Sequence, residues 1–186
     1  MKYFSSDLHL GHKSILKFRD IPSTTLEEYN AWVIKRIYDL PAGSDLYLLG
    51  DTAWDKGSFI QLLNGKPRGI QLHIIEGNHD RKIKFSNFHG FNHLHQAKTV
   101  KDMGHKFFLS HYQCVVWDCS HYNSINLFGH THKDTPTPEV KGRQLNVNCE
   151  FWDYRAVSSE RIIELLDGVD NWDYLEVKRR RENESI

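Results

Sequence analysis

The sequence predicts an α/β fold, on three observations. Short apolar runs alternate with helical segments as far as Ile75, in the order β-α-β-α-β. That order implies parallel strands joined by crossover helices. The apolar runs also end, one after another, in short polar clusters, as strands do when they deliver side chains to a site at one edge of a sheet.

Each element follows from local pattern. Lys2 to Ser6 reads as a strand running into Asp7. Thr24 to Leu40 reads as an amphipathic helix: Leu26, Tyr29, Val33, Ile37 and Leu40 share one stripe, Thr25 and Glu28 can form a capping box, and Pro41 and Gly43 stop it. Leu46 to Leu49 is an apolar strand ending at Gly50-Asp51, and Ser58 to Leu63 a short helix closed by Asn64-Gly65. Ile70 to Ile75 is the next strand. Lys98 to Lys101 and His105 to Leu109 form a hairpin about Met103-Gly104. Ile125 to Phe128 and Leu145 to Val147 are further strands, and Ser158 or Ser159 caps a last helix that runs to Leu166 and ends at Gly168. The aromatic stretch holding Phe85, Phe88, Phe91 and His89, His93, His95 reads as packing or surface, not as a third metal site.

A chain of 186 residues is expected to fold as one domain, here 1–168, with 169–186 as a partly ordered tail. Lys+Arg and Asp+Glu both number 24, so no global field draws the protein to nucleic acid or to anionic membrane. The basic run Lys178 to Arg181 has acidic neighbours and reads as a solvated end. The cysteines are Cys114, Cys119 and Cys149, odd in number and without metal-binding spacing, which fits a reducing cytoplasm. No signal-peptide pattern or membrane-spanning run is expected.

Chemistry is concentrated in five clusters: Asp7-Leu8-His9, Gly50-Asp51, Gly77-Asn78-His79-Asp80, Ser110-His111 and Gly129-His130-Thr131-His132. Carboxylates, imidazoles and an amide without sulfur suit divalent cations, and paired cations serve phosphate-ester hydrolysis. The two-residue spacing in Asp7-x-His9 and His130-x-His132 lets two side chains turn to one side.

These five clusters, in this order, resemble the D-x-H, G-D, G-N-H-D/E, H and G-H-x-H motifs of the calcineurin-like metallophosphoesterases, and the resemblance runs from residue 5 to about 165. Asn146 to Phe151, with Asp153-Tyr154, resembles the closing strand of small prokaryotic and phage members. Gln113 stands where many relatives carry proline. The resemblance implies a four-layer α/β/β/α sandwich, two mixed sheets flanked by helices. It implies two divalent metal ions, manganese first, with iron, zinc or nickel as alternatives. Asp7, His9 and His132 would hold one, Asn78, His111 and His130 the other, and Asp51 would bridge them. A hydroxide shared by the metals would attack phosphorus, with His79 as proton donor and Asp80 orienting His79 or a ligand. Arg81, Tyr112 and Trp54 are candidate substrate-binding residues.

The expected activity is hydrolysis of a phosphodiester, nucleotide-like or small and organic. A phosphomonoesterase on the same site is the near alternative, and a non-catalytic interaction scaffold of the same fold the distant one. The intact His79 and ligand set speak against the scaffold. Charge gives no support to a polymeric nucleic-acid substrate, and sequence does not determine oligomeric state.

Overall fold

The computed structural model describes residues 1–19, 21–135, 139 and 141–184. The element order is β1 (Lys2–Ser5), α1 (Ile15–Phe18), α2 (Leu26–Ile37), β2 (Asp45–Leu49), α3 (Lys56–Asn64), β3 (Gln71–Ile75), β4 (Asn92–His93), β5 (Ala97–Asp102), β6 (His105–Ser110), β7 (Ile125–Phe128), β8 (Gln144–Asn146), β9 (Val157–Ser158), α4 (Ser159–Leu165) and α5 (Trp172–Glu184). One sheet has the order β4-β3-β2-β1-β9 and the other β5-β6-β7-β8. Both are mixed. In the first, β1 to β4 are parallel and β9 is antiparallel. In the second, β5 pairs antiparallel with β6, while β6, β7 and β8 run parallel. The architecture is the expected one, two mixed sheets flanked by helices.

Alternation along the strands builds two cores. One face of the first sheet presents Leu46, Leu48, Leu72 and Ile74 to Tyr29, Val33 and Ile37 of α2 and to Phe59 and Leu62 of α3. The opposite face presents Phe4, Tyr47, Leu49 and Ile75 to Phe107, Leu109, Ile125 and Leu127 of the second sheet, with Ile162 and Leu166 alongside. The capping box at Thr25 and Glu28 is present, and Asp55 and Ser158 cap α3 and α4. Phe85, Phe88 and Phe91 gather around Phe59, so that aromatic stretch is packing.

The turn after β8, the short helix α1 and the two-residue strands β4 and β9 depart from the sequence expectation. After β8 the chain does not continue as a strand through residue 151. Asn148 Oδ1 accepts the Glu150 N–H at 3.0 Å and turns the backbone into a 3-10 helix over Cys149–Trp152. Within the stretch read as a partly ordered tail, residues 172–184 form α5, held at its start by the fully buried Asn171 and by a Ser120 Oγ bond to Asp173. Asn171 Nδ2 donates to the carbonyls of Ser120 and Ser124 at 3.0 and 2.8 Å, and Oδ1 accepts from the Arg143 N–H at 2.7 Å. Residues 185 and 186 of that stretch lie outside the described residues. Among the described residues no helix is long and apolar enough to cross a membrane.

Register sets where the site falls. Ser5 pairs with Leu48 and Leu48 with Ile74, so β1, β2 and β3 end at the same edge. Leu109 pairs with Leu127, which aligns the ends of β6 and β7. The Cys149 N–H donates to the Ser6 carbonyl at 3.1 Å, joining the two sheets at that end. All five polar clusters therefore emerge on one rim.

Phe107 is fully buried between the sheets, with its ring 5.4 Å from that of Phe4. Phe107→Ala is expected to lower unfolding free energy by about 3–5 kcal/mol, measured by urea denaturation.

Candidate metal centre

The loops after β1 and β2 are zipped together by backbone bonds. Asp7 N–H donates to Gly50 O at 3.0 Å and His9 N–H to Asp51 O at 2.9 Å. Four residues here adopt left-handed backbone: Asp7 (φ 58°), His9 (φ 48°), Asp51 (φ 51°) and His130 (φ 67°). That conformation is strained for side chains with a Cβ and clusters where function over-determines the backbone. Two glycines make the approach of the strand ends possible. A Cβ on Gly50, itself at φ 90°, would overlap the Gly77 backbone and His111, and a Cβ on Gly77 would overlap Asp51.

The seven residues expected as metal ligands converge. Ligand atoms of Asp7, His9 and His132 lie within 4.8 Å of one another, and so do those of Asp51, His111 and His130. Asn78 adjoins the second group, its Oδ1 3.1 Å from His111 Nε2. Asp51 lies between the groups: its Oδ2 is 3.7 Å from His9 Nε2 and 3.5 Å from His111 Nε2.

Neighbouring groups aim these side chains. Asp7 accepts Ser6 Oγ–H at 2.5 Å and the His130 N–H at 3.0 and 3.1 Å. Asp51 Oδ1 accepts the His79 N–H at 2.9 Å. His111 Nδ1 donates to the Leu49 carbonyl at 2.8 Å, which directs Nε2 into the site. His132 Nδ1 bonds Glu150 Oε1 at 2.8 Å.

Electrostatics and donor chemistry fit divalent cations. The His9 ring is buried, and among the described residues neither of its nitrogens has a hydrogen-bond partner. Asp51 and Asp7, at 3.7 and 3.9 Å from Nε2, are too far to bond it. Burial, then the charge of Arg19, pushes the His9 imidazole down to about 3, so it is neutral with a lone pair to give. Burial pushes the Asp7 carboxyl up to about 6, as expected of a buried carboxylate short of positive charge. Asp51 is also pushed up by burial, but His111 outweighs this and holds it down at about 2. Oxygen and imidazole donors without sulfur match the harder divalent metals.

The remaining expected residues are placed as follows. His79 sits on the rim, its side chain 39% exposed, with Nε2 3.9 Å from Asp51 Oδ2. Asp80 does not bond the His79 ring. It is buried and accepts three backbone N–H groups, from Thr52, Ala53 and Gly77 at 2.9, 3.3 and 2.9 Å. The carboxylate thereby fastens the Gly77 loop, which carries Asn78, to the loop after β2, which carries Asp51. Trp54 is engaged by its neighbours, its ring 4.3 Å from His12 and 4.7 Å from His79. Tyr112 and Arg81 border a concavity of about 260 Å³ beside Asn78 and His111.

Sequence reasoning missed Arg19 and Glu150. Arg19 Nε is 2.6 Å from Glu150 Oε1, and its Nη2 donates to the Asp7 carbonyl at 3.0 Å. Arg19 stands in no motif, Glu150 lies in the stretch read only as a closing strand, and the pairing joins the end of α1 to the turn after β8.

No family model matches the chain. Two proteins are similar to nearly all of it. The uncharacterized protein MJ1445 of Methanocaldococcus jannaschii is 27% identical over 176 residues, covering 89% of this chain and 90% of that protein. The Gene 66 protein of Mycobacterium phage L5 is 27% identical over 198 residues, covering 90% and 94%. Among solved structures, the protein of unknown function AQ665 from Aquifex aeolicus superposes with a TM-score of 0.65 at 22% identity, over 89% of this chain and 98% of that one. That likeness shows a shared fold.

Gly77→Ala is expected to displace Asp51 and weaken divalent-cation binding by on the order of 10-fold or more, read by equilibrium titration of the metal-stripped protein.

Proposed function

We propose that this protein is a metal-dependent phosphoesterase that holds two divalent cations and hydrolyses a phosphodiester, nucleotide-like or small and organic. The observation that carries this reading is the adjacency of the two acid–imidazole clusters through Asp51, whose Oδ2 lies within 3.7 Å of an imidazole nitrogen from each. Asp7, His9 and His132 would hold one cation, Asn78, His111 and His130 the other, with Asp51 shared. Manganese is the favoured metal, with iron, zinc and nickel as alternatives. A cation pair would supply Lewis acidity toward the phosphoryl oxygens and an activated water near neutral pH.

The chain's own residues account for the rest. His79 is held by its backbone bond to Asp51 Oδ1, and its ring stands beside Trp54, so the imidazole stays at the rim where a leaving alkoxide needs a proton. On this reading Trp54 orients His79 and is not a free platform for substrate. Arg81 and Tyr112 flank the Asn78 side, a guanidinium for non-bridging phosphoryl oxygens and a phenol ring for an organic group. A second concavity, of about 240 Å³, borders His9, His79 and His132 on the other side. Room on both sides of the centre suits two ester arms and supports the diester over the monoester. The resemblance of the five motifs to the metallophosphoesterases supports the same reading.

The test is hydrolysis by metal-stripped protein reloaded with Mn²⁺, comparing bis-p-nitrophenyl phosphate with p-nitrophenyl phosphate. Metal-dependent turnover favouring the diester is expected. Preference for the monoester would assign a phosphatase, and two bound ions with no turnover of either would overturn the enzymatic reading. Asp51→Asn is expected to lower both metal stoichiometry and turnover, the latter by on the order of 100-fold or more. Near wild-type values with two ions bound would remove Asp51 from the shared position. His79→Ala is expected to keep metal content while slowing turnover roughly 10²–10⁴-fold, most for poor leaving groups. Loss of metal instead would make His79 a ligand.

A further inference from the structure

The two clusters differ in what stands behind their imidazoles. His111 is backed by a neutral carbonyl, Leu49 O. His132 is backed by a carboxylate, Glu150 Oε1 at 2.8 Å, and that same oxygen receives Arg19 Nε at 2.6 Å. Arg19 bonds other groups as well, Cys149 Sγ at 4.0 Å among them. Its Nη2 donates to the Asp7 carbonyl at 3.0 Å, and its Nη1 to Tyr29 Oη at 2.7 Å, while the Tyr29 hydroxyl donates to Leu8 O at 2.6 Å. The side chains of Arg19 and Glu150 are only 4% and 11% exposed, so these bonds are shielded from competing water. One guanidinium thus joins the backbone of the first ligand residue to the group that orients the third.

We infer that Arg19 and Glu150 are positioning residues that make the Asp7–His9–His132 cluster the tighter of two unequal cation sites. This rests on the two-cation reading above. A carboxylate behind an imidazole fixes its tautomer and raises its basicity, and a carbonyl does so less strongly. With Nδ1 committed to Glu150, His132 presents Nε2, 3.9 Å from Asp7 Oδ1, to the cluster. Glu150 also offsets the Arg19 charge. Without it, the guanidinium would stand uncompensated near a bound cation. Among the described residues, no carboxylate backs an imidazole of the second cluster: His111 has the Leu49 carbonyl, Asn78 brings a neutral amide, and His130 is exposed.

The experiment is a titration of the metal-stripped full-length protein with Mn²⁺, reading free Mn²⁺ by electron paramagnetic resonance, with the thermal midpoint of the metal-free protein measured in parallel. The wild type is expected to show a tighter and a weaker class. Glu150→Gln should weaken the tighter class about 10- to 100-fold and leave the other in place, so that the two converge. Glu150→Asp keeps the charge at shorter reach and should lose less; it serves as the test should Glu150→Gln fail to fold. Asn78→Ala assigns the classes, because it should affect only the weaker one. Equal loss in both classes, loss confined to the class that Asn78→Ala weakens, no loss, or two equal classes in the wild type would overturn the inference while leaving the two-cation reading intact. Failure of the wild type to bind Mn²⁺ would overturn the two-cation reading itself.

Discussion

The rim of this protein is held together by carboxylates that bond the backbone of a loop other than their own. Asp7, after β1, accepts the His130 N–H from the loop after β7. Asp51, after β2, accepts the His79 N–H from the loop after β3. Asp80 reaches back to Thr52 and Ala53. Hydrogen bonds to charged acceptors are worth more than neutral ones, and burial raises the penalty for losing them. Four loops that share no sequence neighbourhood are thereby fixed relative to one another, and the imidazoles they carry inherit that precision.

Such a rim has a cost, and the fold offsets it elsewhere. Left-handed backbone at Asp7, His9, Asp51 and His130 costs roughly 1–2 kcal/mol per residue, and buried carboxylates short of positive charge add to that. The compensation lies below, in two apolar cores on the two faces of one sheet, where Phe4, Leu46, Leu48, Phe59 and Phe107 are almost wholly removed from water. Strain is confined to the edge at which those strands end, so packing and chemistry occupy separate parts of the molecule.

Much of this was legible in the sequence because the signals were local. The stripe Tyr29, Val33, Ile37 gave α2, and the capping box placed its start at the residue observed. Apolar runs ending in Asp, Asn or His placed the clusters, and parallel order implied their convergence. What was not legible depends on distant partners. Arg19 stands in no local pattern that would mark it, and its role exists only once Glu150 is brought against it. Asp80 sits beside His79 in sequence, yet its carboxylate turns to backbone amides. The strands β4 and β9, two residues each, exist only because β3 and β1 offer an edge to pair with. Helix α5 is held at its start by the buried Asn171 and by Ser120 against Asp173, partners that nothing in the local pattern reveals.

The residues gathered on the rim come from positions as far apart as Asp7 and Glu150, and no two adjacent elements carry a complete cluster. Unfolded chain therefore offers at most local pairs such as Asp7 with His9, while the native chain offers complete clusters. A ligand that binds only the assembled form adds to native stability by mass action, in proportion to the logarithm of its concentration over its dissociation constant. The strained edge that weakens the free protein is thus also the place where its surroundings can set how firmly it stays folded.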